Sequence, residues 1–318
     1  MRKFNKIVVT GALGHIGSYL VRYLAKRFPG VELIMVDNLM TQRYPSLFNL
    51  PKAGCYRFIE ADVTTMDLST MLRGAHVVIH LAAITDAAES FENAAQVEDN
   101  NYQATHKVAE ACAATGTRLI ALSSTSVYGT QENLVSEDCS PDELNPQSPY
   151  AETKLKEEAL VASLAEKKNL SALIFRFGTI FGKSPGMRFH TAVNKFCWQA
   201  VMGEPITVWR TAYDQKRPYL DLKDAARAMA FVLDKDLFDQ RIYNVLSQNS
   251  RVSDIINIIR EFVPEISVSF VDNPIMNQFS YEVSCKRFTE CGFKFSGDLR
   301  RGIRETILLL RGSNGKNH

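Results

Sequence analysis

The sequence predicts an α/β fold, a doubly wound parallel sheet with a smaller, discontinuous C-terminal α/β lobe. Three observations carry this expectation. The stretch Lys6 to Gly17, K-I-V-V-T-G-A-L-G-H-I-G, sets an apolar β-branched run before three glycines and an apolar-periodic helix pattern through Leu20, Val21 and Leu24. Strand-like and helix-like stretches then alternate through the first half, the pattern of a parallel sheet covered on both faces. Beyond Gly178 that alternation gives way to short strands separated by helices.

The first strand, Ile7 to Val9, stops at Thr10, and the second, Leu33-Ile34-Met35-Val36, ends on Asp37. A polar segment from Asn38 to Gly54 reads as loop. Tyr56 to Ala61 is a third strand, Asp67 to Leu72 a short helix, and His76 to Leu81 a buried fourth strand. A long helix pattern runs from about Phe91 or Asn93 to Thr115, with Val97, Val108 and Ala111 on one face. Arg118 to Leu122 is a fifth strand, followed by S-S-T-S and then Val127-Tyr128-Gly129. A loop rich in proline leads into a helix over Pro149–Lys168, with proline in the first turn, where a missing N–H costs least. Leu173 to Phe177 is the sixth strand.

Past Gly178, Gly182 to Gly186 reads as a turn, Phe189 to Met202 as a helix, and Ile206–Trp209 and Arg217–Asp221 as short strands. Lys223–Leu233 is helical and Ile242–Leu246 extended, and helices over Val252–Phe262 and Leu299–Leu310 close the chain. The expected division is 1–178 with 220–246 for the sheet domain and 179–219 with 247–318 for the lobe.

The glycine turn is an anion site in waiting. A helix N-terminus presents free N–H groups and the positive end of a dipole where a pyrophosphate can sit. Gly11 permits the tight turn, Gly14 the close approach of phosphate, and Gly17 close packing of helix on strand. Asp37, ending the next strand, would accept hydrogen bonds from a ribose diol and repel a 2′-phosphate. That pattern argues for NAD over NADP.

Composition narrows the partners. At 318 residues the chain can bury a full core, and a net charge of +2 without a basic block gives no reason to expect nucleic acid or a membrane surface. No apolar run approaches the roughly 20 residues of a spanning helix, and none of leader length precedes Thr10. Six scattered cysteines without a C-x-x-C pair read as free thiols in a reducing cytoplasm. No His/carboxylate cluster argues for a metal.

Tyr150 and Lys154, Y-A-E-T-K, stand four apart and so share one helix face. An ammonium beside a phenol stabilises phenolate and draws the tyrosine pKa down from about 10 toward the working pH. The phenolate would take a proton from a hydroxyl as hydride leaves the attached carbon. Ser124, at the carboxyl end of the fifth strand, is placed to hold the same oxygen.

Together, T-G-x-x-G-x-x-G, D-N-L after the second strand, Asp62-Val63, H-L-A-A at His80 to Ala83, S-S-T-S-V-Y-G and Y-x-x-x-K resemble the extended short-chain dehydrogenase/reductase superfamily. The sugar-nucleotide epimerase/dehydratase branch, like the UDP-glucose 4-epimerases, fits best. The resemblance implies a Rossmann sheet of seven strands holding NAD, and a lobe for a nucleotide diphosphate sugar. It implies that Gly11, Gly14, His15, Ile16, Gly17, Asp37, Asn38, Asp62, Val63, Leu81, Ala82, Ala83, Asn101, Tyr150 and Lys154 line the dinucleotide. Ser124, Tyr150 and Lys154 would be catalytic. Thr85, Ser124, Thr125, Tyr150, Thr179, Asn194 and Arg217 would meet the sugar nucleotide, with Arg188 added on charge. It also implies a homodimer through a four-helix bundle of the two long helices.

Departures choose among the reactions. The family's 4,6-dehydratases carry Asp and Glu after the catalytic Ser/Thr, where this chain has Thr125 and Ser126. Thr179 stands where asparagine is frequent, and Asp221 where histidine is. The expected activity is NAD-dependent epimerisation at C4 through a 4-keto sugar. A dehydrogenase or ketoreductase that stops after one hydride transfer is the alternative, followed by a 4,6-dehydratase and a dinucleotide-binding protein without turnover.

Overall fold

β1 (Lys6–Thr10) is apolar and β-branched because both its faces are covered: Ile7, Val8 and Val9 are fully buried. In a computed structural model that describes residues 5–85, 91–129, 131, 134–272 and 280–313, it leads into α1 (His15–Arg27) and β2 (Glu32–Asp37). Next come β3 (Cys55–Glu60), α2 (Leu68–Leu72), β4 (Val77–His80), α3 (Ala94–Thr115) and β5 (Arg118–Ser124). The chain continues through β6 (Leu134–Val135), α4 (Pro149–Lys168), β7 (Ala172–Phe177), β8 (Thr179–Phe181) and α5 (Ala192–Met202). β9 (Ile206–Trp209), β10 (Lys216–Asp221), α6 (Leu222–Lys235), β11 (Ile242–Val245), β12 (Gln248–Arg251) and α7 (Val252–Phe262) follow. Last are β13 (Val268–Val271), β14 (Glu282–Val283), α8 (Lys286–Glu290) and α9 (Leu299–Ser313).

Seven strands form one parallel sheet in the order β3-β2-β1-β4-β5-β7-β11. The order reverses beside β1, and in such sheets ligands bind outside the carboxyl ends of the strands at that crevice. One apolar layer, with Leu20, Leu24, Met229 and Val232 from α1 and α6, covers one face. The other face is covered by α2, α3 and α4 through Leu72, Val108, Cys112, Val161 and Leu164. Burying one such aliphatic side chain is worth about 1.5–3 kcal/mol.

β8, β10 and β12 make a separate three-stranded sheet, and α5, α7 and α9 close over it around Phe181, Phe196, Ile255, Ile259, Ile303 and Ile307. β8 and β12 are additions to the expected strands. The helix expected from Phe189 starts instead at Ala192, after Thr191 in extended backbone. Within the 38–54 loop, Tyr44–Leu47 forms a single 3-10 turn.

α4 begins where its residues dictate. The Ser148 hydroxyl accepts from Ala151 N–H at 3.2 Å, Pro149 fills the first helical position, and Asn169 ends the helix in the left-handed region. α3 and α4 lie side by side, bridged by Lys156–Glu98 (2.5 Å) and Lys168–Glu110 (2.8 Å) on their exposed side. Among the described residues, no helix is long and apolar enough to cross a membrane.

Candidate active site

The turn after β1 has the geometry its glycines require. Gly11 takes φ +62°, and a Cβ there would lie 2.7 Å from Ala82 N. A Cβ on Gly17 would lie 2.4 Å from Gly11 O, so α1 seats against the turn only because that position is bare. Asp37 braces the turn: its carboxylate accepts from Leu13 N–H at 3.0 Å and Leu39 N–H at 2.9 Å.

A cavity of about 440 Å³ opens beside this turn, lined by Gly11, Asp37, Asn38, Asp62, Val63 and Ala82 among others. Asn38 donates to Asp62 at 3.0 Å, and Thr64 donates to the other carboxylate oxygen from N–H (2.8 Å) and hydroxyl (2.6 Å). Burial works against the Asp62 charge, but these hydrogen bonds outweigh it and hold its pKa below the usual carboxylate value.

A second cavity, about 280 Å³, continues from the first through shared walls at Gly11, Gly14, Leu81, Ala82 and Ala83. His15, Ile16, Gly17, Tyr150 and Lys154 line it, with Ser124 and Thr125 from the end of β5 and Thr179, Arg188 and Arg217 from beyond β7. Thr85 and Arg188 reach both cavities and are hydrogen-bonded to one another. The expected catalytic trio thus faces one space with the glycine turn.

The hydroxyl of Ser124 has a defined direction. Its oxygen accepts from Ser126 N–H at 3.2 Å and from the Ser126 hydroxyl at 2.9 Å, so its own hydrogen is left to donate into the cavity. Thr125 Oγ1 is turned into the wall, donating to Phe177 O at 3.3 Å and meeting Tyr281 OH at 3.4 Å. Tyr150 is half-buried, and the Lys154 ammonium lies 5.7 Å from its ring centre. That ammonium also donates to Glu157 Oε2 at 2.9 Å, in a pair that is almost wholly buried. Burial disfavours the Lys154 charge, and Glu157 and Tyr150 more than offset it, so its pKa lies above the usual lysine value.

Two expected contacts sit behind the walls. Asn101 is buried, accepting from Ile84 N–H and donating to Ile84 O, both at 2.8 Å, so it shapes the segment that carries Thr85. Asn194 is buried too, accepting from Gly182 N–H at 3.3 Å and donating to Arg188 O at 3.2 Å. Both side chains are consumed by backbone, which is what a buried amide requires.

Folding adds residues that the linear pattern did not point to. Arg43 lines both cavities from the loop after β2, with Asp37 favouring its charge against the cost of burial. Ser126 stands in the S-S-T-S string itself, so that signal was present. Tyr281 arrives from a distant segment, and no local pattern marks it.

The 182–186 segment is fastened to the glycine turn. His15 Nε2 donates to Gly182 O at 2.8 Å, Ser18 Oγ accepts from Gly186 N–H at 2.9 Å, and a Cβ on Gly186 would lie 2.1 Å from Leu13 O. Burial, with the nearby Arg188 charge, pushes the His15 pKa down to about 3, so this imidazole is neutral. Among the described residues no group of three or more His, Cys, Asp or Glu could hold a metal, and all six cysteines are free.

The NAD dependent epimerase/dehydratase family model matches residues 7–245. An uncharacterised UDP-glucose epimerase of Bacillus subtilis is 32% identical over 72% of this chain and 73% of its own. A trifunctional UDP-glucose 4,6-dehydratase/UDP-4-keto-6-deoxy-D-glucose 3,5-epimerase/UDP-4-keto-L-rhamnose-reductase of Arabidopsis thaliana is 28% identical over 96% of this chain. The chain spans about half the length of that relative, 47%. Among solved structures, the UDP-glucuronic acid 4-epimerase of Bacillus cereus, in complex with UDP-glucuronic acid and NAD, superposes with a TM-score of 0.87. It is 25% identical, over 97% of this chain and 99% of that one. The chain belongs to the NAD-dependent epimerase/dehydratase family, whose members work with NAD.

Proposed function

We propose that this protein is an NAD-dependent epimerase acting at C4 of a nucleotide diphosphate sugar through a 4-keto intermediate. The observation that carries the choice is the chemistry of the inner cavity. Tyr150, Lys154 and Ser124 face it, and no Asp or Glu is among the described residues that line it. Loss of water from the sugar needs an acid and a base beside the reacting carbons, and this wall offers hydroxyls and the phenols of Tyr150 and Tyr281 in place of carboxyls.

The cradle suits NAD. The bare turn at Gly11 and Gly17 leaves room for a diphosphate, Arg43 and Arg188 add positive charge beside it, and Asp37 and Asp62 lie at the adenosine end. When bound there, the nicotinamide supplies the hydride acceptor and donor. Tyr150 as phenolate takes the proton of the C4 hydroxyl while C4 loses hydride. Lys154 stabilises the phenolate, and Ser124 donates a hydrogen bond to the C4 oxygen in alcohol and ketone alike. After the keto sugar turns over, Tyr150 returns the proton as hydride comes back to the other face.

Arg217 and Thr179 are the proposed contacts for the sugar nucleotide, with Arg188 and Thr85 between the two ligands. The proposed division remains 1–178 with 220–246 for NAD and 179–219 with 247–318 for the sugar nucleotide. It is supported by β11 joining the large sheet, while β8, β10 and β12 form their own. A homodimer across α3 and α4 is part of the same proposal, and static light scattering that gives a monomer mass would refute it.

The reaction is tested by incubating the NAD-loaded protein with UDP-, GDP-, CDP- and dTDP-sugars and following C4 stereochemistry by NMR. A C4 epimer is the expected product. Accumulated keto sugar with NADH and no epimer would instead make it a dehydrogenase or ketoreductase, and a 4-keto-6-deoxy product a dehydratase.

A further inference from the structure

Lys154 serves two acids. Tyr150 lies one turn before it on α4 and Glu157 three residues after it, and the ammonium is bonded to Glu157 Oε2 at 2.9 Å. Thr105 Oγ1, from α3, donates to the same carboxylate oxygen at 2.7 Å. The other oxygen, Glu157 Oε1, is buried without a partner, as is the Ser123 hydroxyl on β5. Both residues line a cavity of about 10 Å³, together with Lys154 and Glu158. A carboxylate with one oxygen unpartnered in a closed site is poorly matched to its charge, and burial raises the Glu157 pKa despite Lys154.

The neighbouring charges do not relieve this. Glu158, next on α4, is bound by Arg176 of β7 through two hydrogen bonds of 2.8 and 2.6 Å, and that pair is neutral overall. His80, on β4, faces Lys154 and is held neutral with its pKa near 3. Ser123 on β5 and Thr105 on α3 carry no charge. One ammonium and two acids, Tyr150 and Glu157, are therefore the groups that exchange charge here.

The geometry points to Glu157 as a positioning residue that competes with Tyr150 for the Lys154 ammonium. While Glu157 is ionised it neutralises Lys154 and raises the cost of phenolate at Tyr150. Once Glu157 takes up a proton, the whole ammonium field acts on Tyr150. The base is thus set by a carboxyl that never touches the sugar. This inference rests on the reading of Tyr150 as the base, and its test requires no substrate.

The experiment is a tyrosinate titration by near-ultraviolet difference absorbance on the NAD-loaded protein, taking wild type minus Tyr150→Phe to isolate the Tyr150 phenol. The same difference is taken in the Glu157→Gln background. Removing one buried negative charge from the pair should move the Tyr150 ionisation to lower pH by about one unit or more. Thr105→Val, which deletes a hydrogen bond favouring the carboxylate, should move it the same way by less. An unchanged ionisation would overturn the inference. So would a shift to higher pH, the result expected of a carboxylate that only keeps Lys154 charged. Should Glu157→Gln fail to fold by circular dichroism, the sign of the Thr105→Val shift decides alone. A shift to lower pH in a protein that epimerises no sugar would keep this coupling and refute the proposed reaction.

Discussion

Mild acid should destabilise this protein through a histidine locked in its neutral form. Thr10 Oγ1 accepts from Leu81 N–H at 3.2 Å and Ala82 N–H at 3.3 Å. With both lone pairs engaged, its own hydrogen goes to His80 Nδ1, 2.7 Å away. His80 therefore carries its proton on Nε2, in a wholly buried site, and burial together with Lys154 pushes its pKa from 6.5 down to about 3. In the unfolded chain the ring titrates near its ordinary value of about 6.5. Between those limits the unfolded state binds one more proton, so the stabilisation is complete above about pH 6.5 and is lost as pH falls. At about pH 5 the gap of roughly 1.5 units is worth about 2 kcal/mol. His15, whose pKa is also near 3, adds a similar amount. Against a typical total of about 5–15 kcal/mol, that is a large loss. Urea unfolding followed by tryptophan fluorescence at about pH 7.5 and about pH 5 measures it. His80→Gln should start less stable but lose about 2 kcal/mol less across that interval, since the carboxylates contribute equally to both proteins. Equal losses in the two proteins would refute the reasoning.

Three further outcomes follow from the same geometry. Tyr150→Phe should retain NAD, read as dinucleotide released on denaturation, while the proposed epimerisation falls by about 10²–10⁴-fold. Gly17→Ala puts a methyl 2.4 Å from Gly11 O, so melting should show a loss of about 1–3 kcal/mol, with bound NAD depleted. Arg176→Met strands Glu158 in a buried site and should cost about 3–5 kcal/mol by urea titration, whereas the double variant with Glu158→Leu should recover much of it.

The sheet was legible because its signals are local. Apolar runs ending on Thr10, Asp37 and His80 mark strands buried on both faces, and Ser148-Pro149 marks the start of α4 through a cap and a pre-set φ. β12, Gln248–Arg251, was not legible: Q-N-S-R has no apolar alternation, and it is extended because it pairs with β10. β8 is only three residues long and becomes a strand through the same sheet. Phe189 belongs to the apolar periodicity of α5, but Thr191 is extended and the helix starts after it. In the site, Gly11, Asp37, Ser124, Tyr150 and Lys154 could be read because each is tied to an element end or a helix face. Tyr281 depends on a fold that carries it 156 residues along the chain to Thr125. Asn101 and Asn194 were readable as polar residues near the site, but whether an amide faces ligand or backbone is settled only by packing.

The fastening of the 182–186 segment onto the glycine turn bears on how the two ligands are exchanged. A dinucleotide seated in the proposed cradle would leave past that side only once the His15–Gly182 and Ser18–Gly186 bonds part. The proposed epimerisation gives its hydride back and leaves the carrier as it found it, so that cycle would call for no replacement. Under the proposed reaction, such a lock would let one redox carrier stay resident while successive sugar nucleotides pass through.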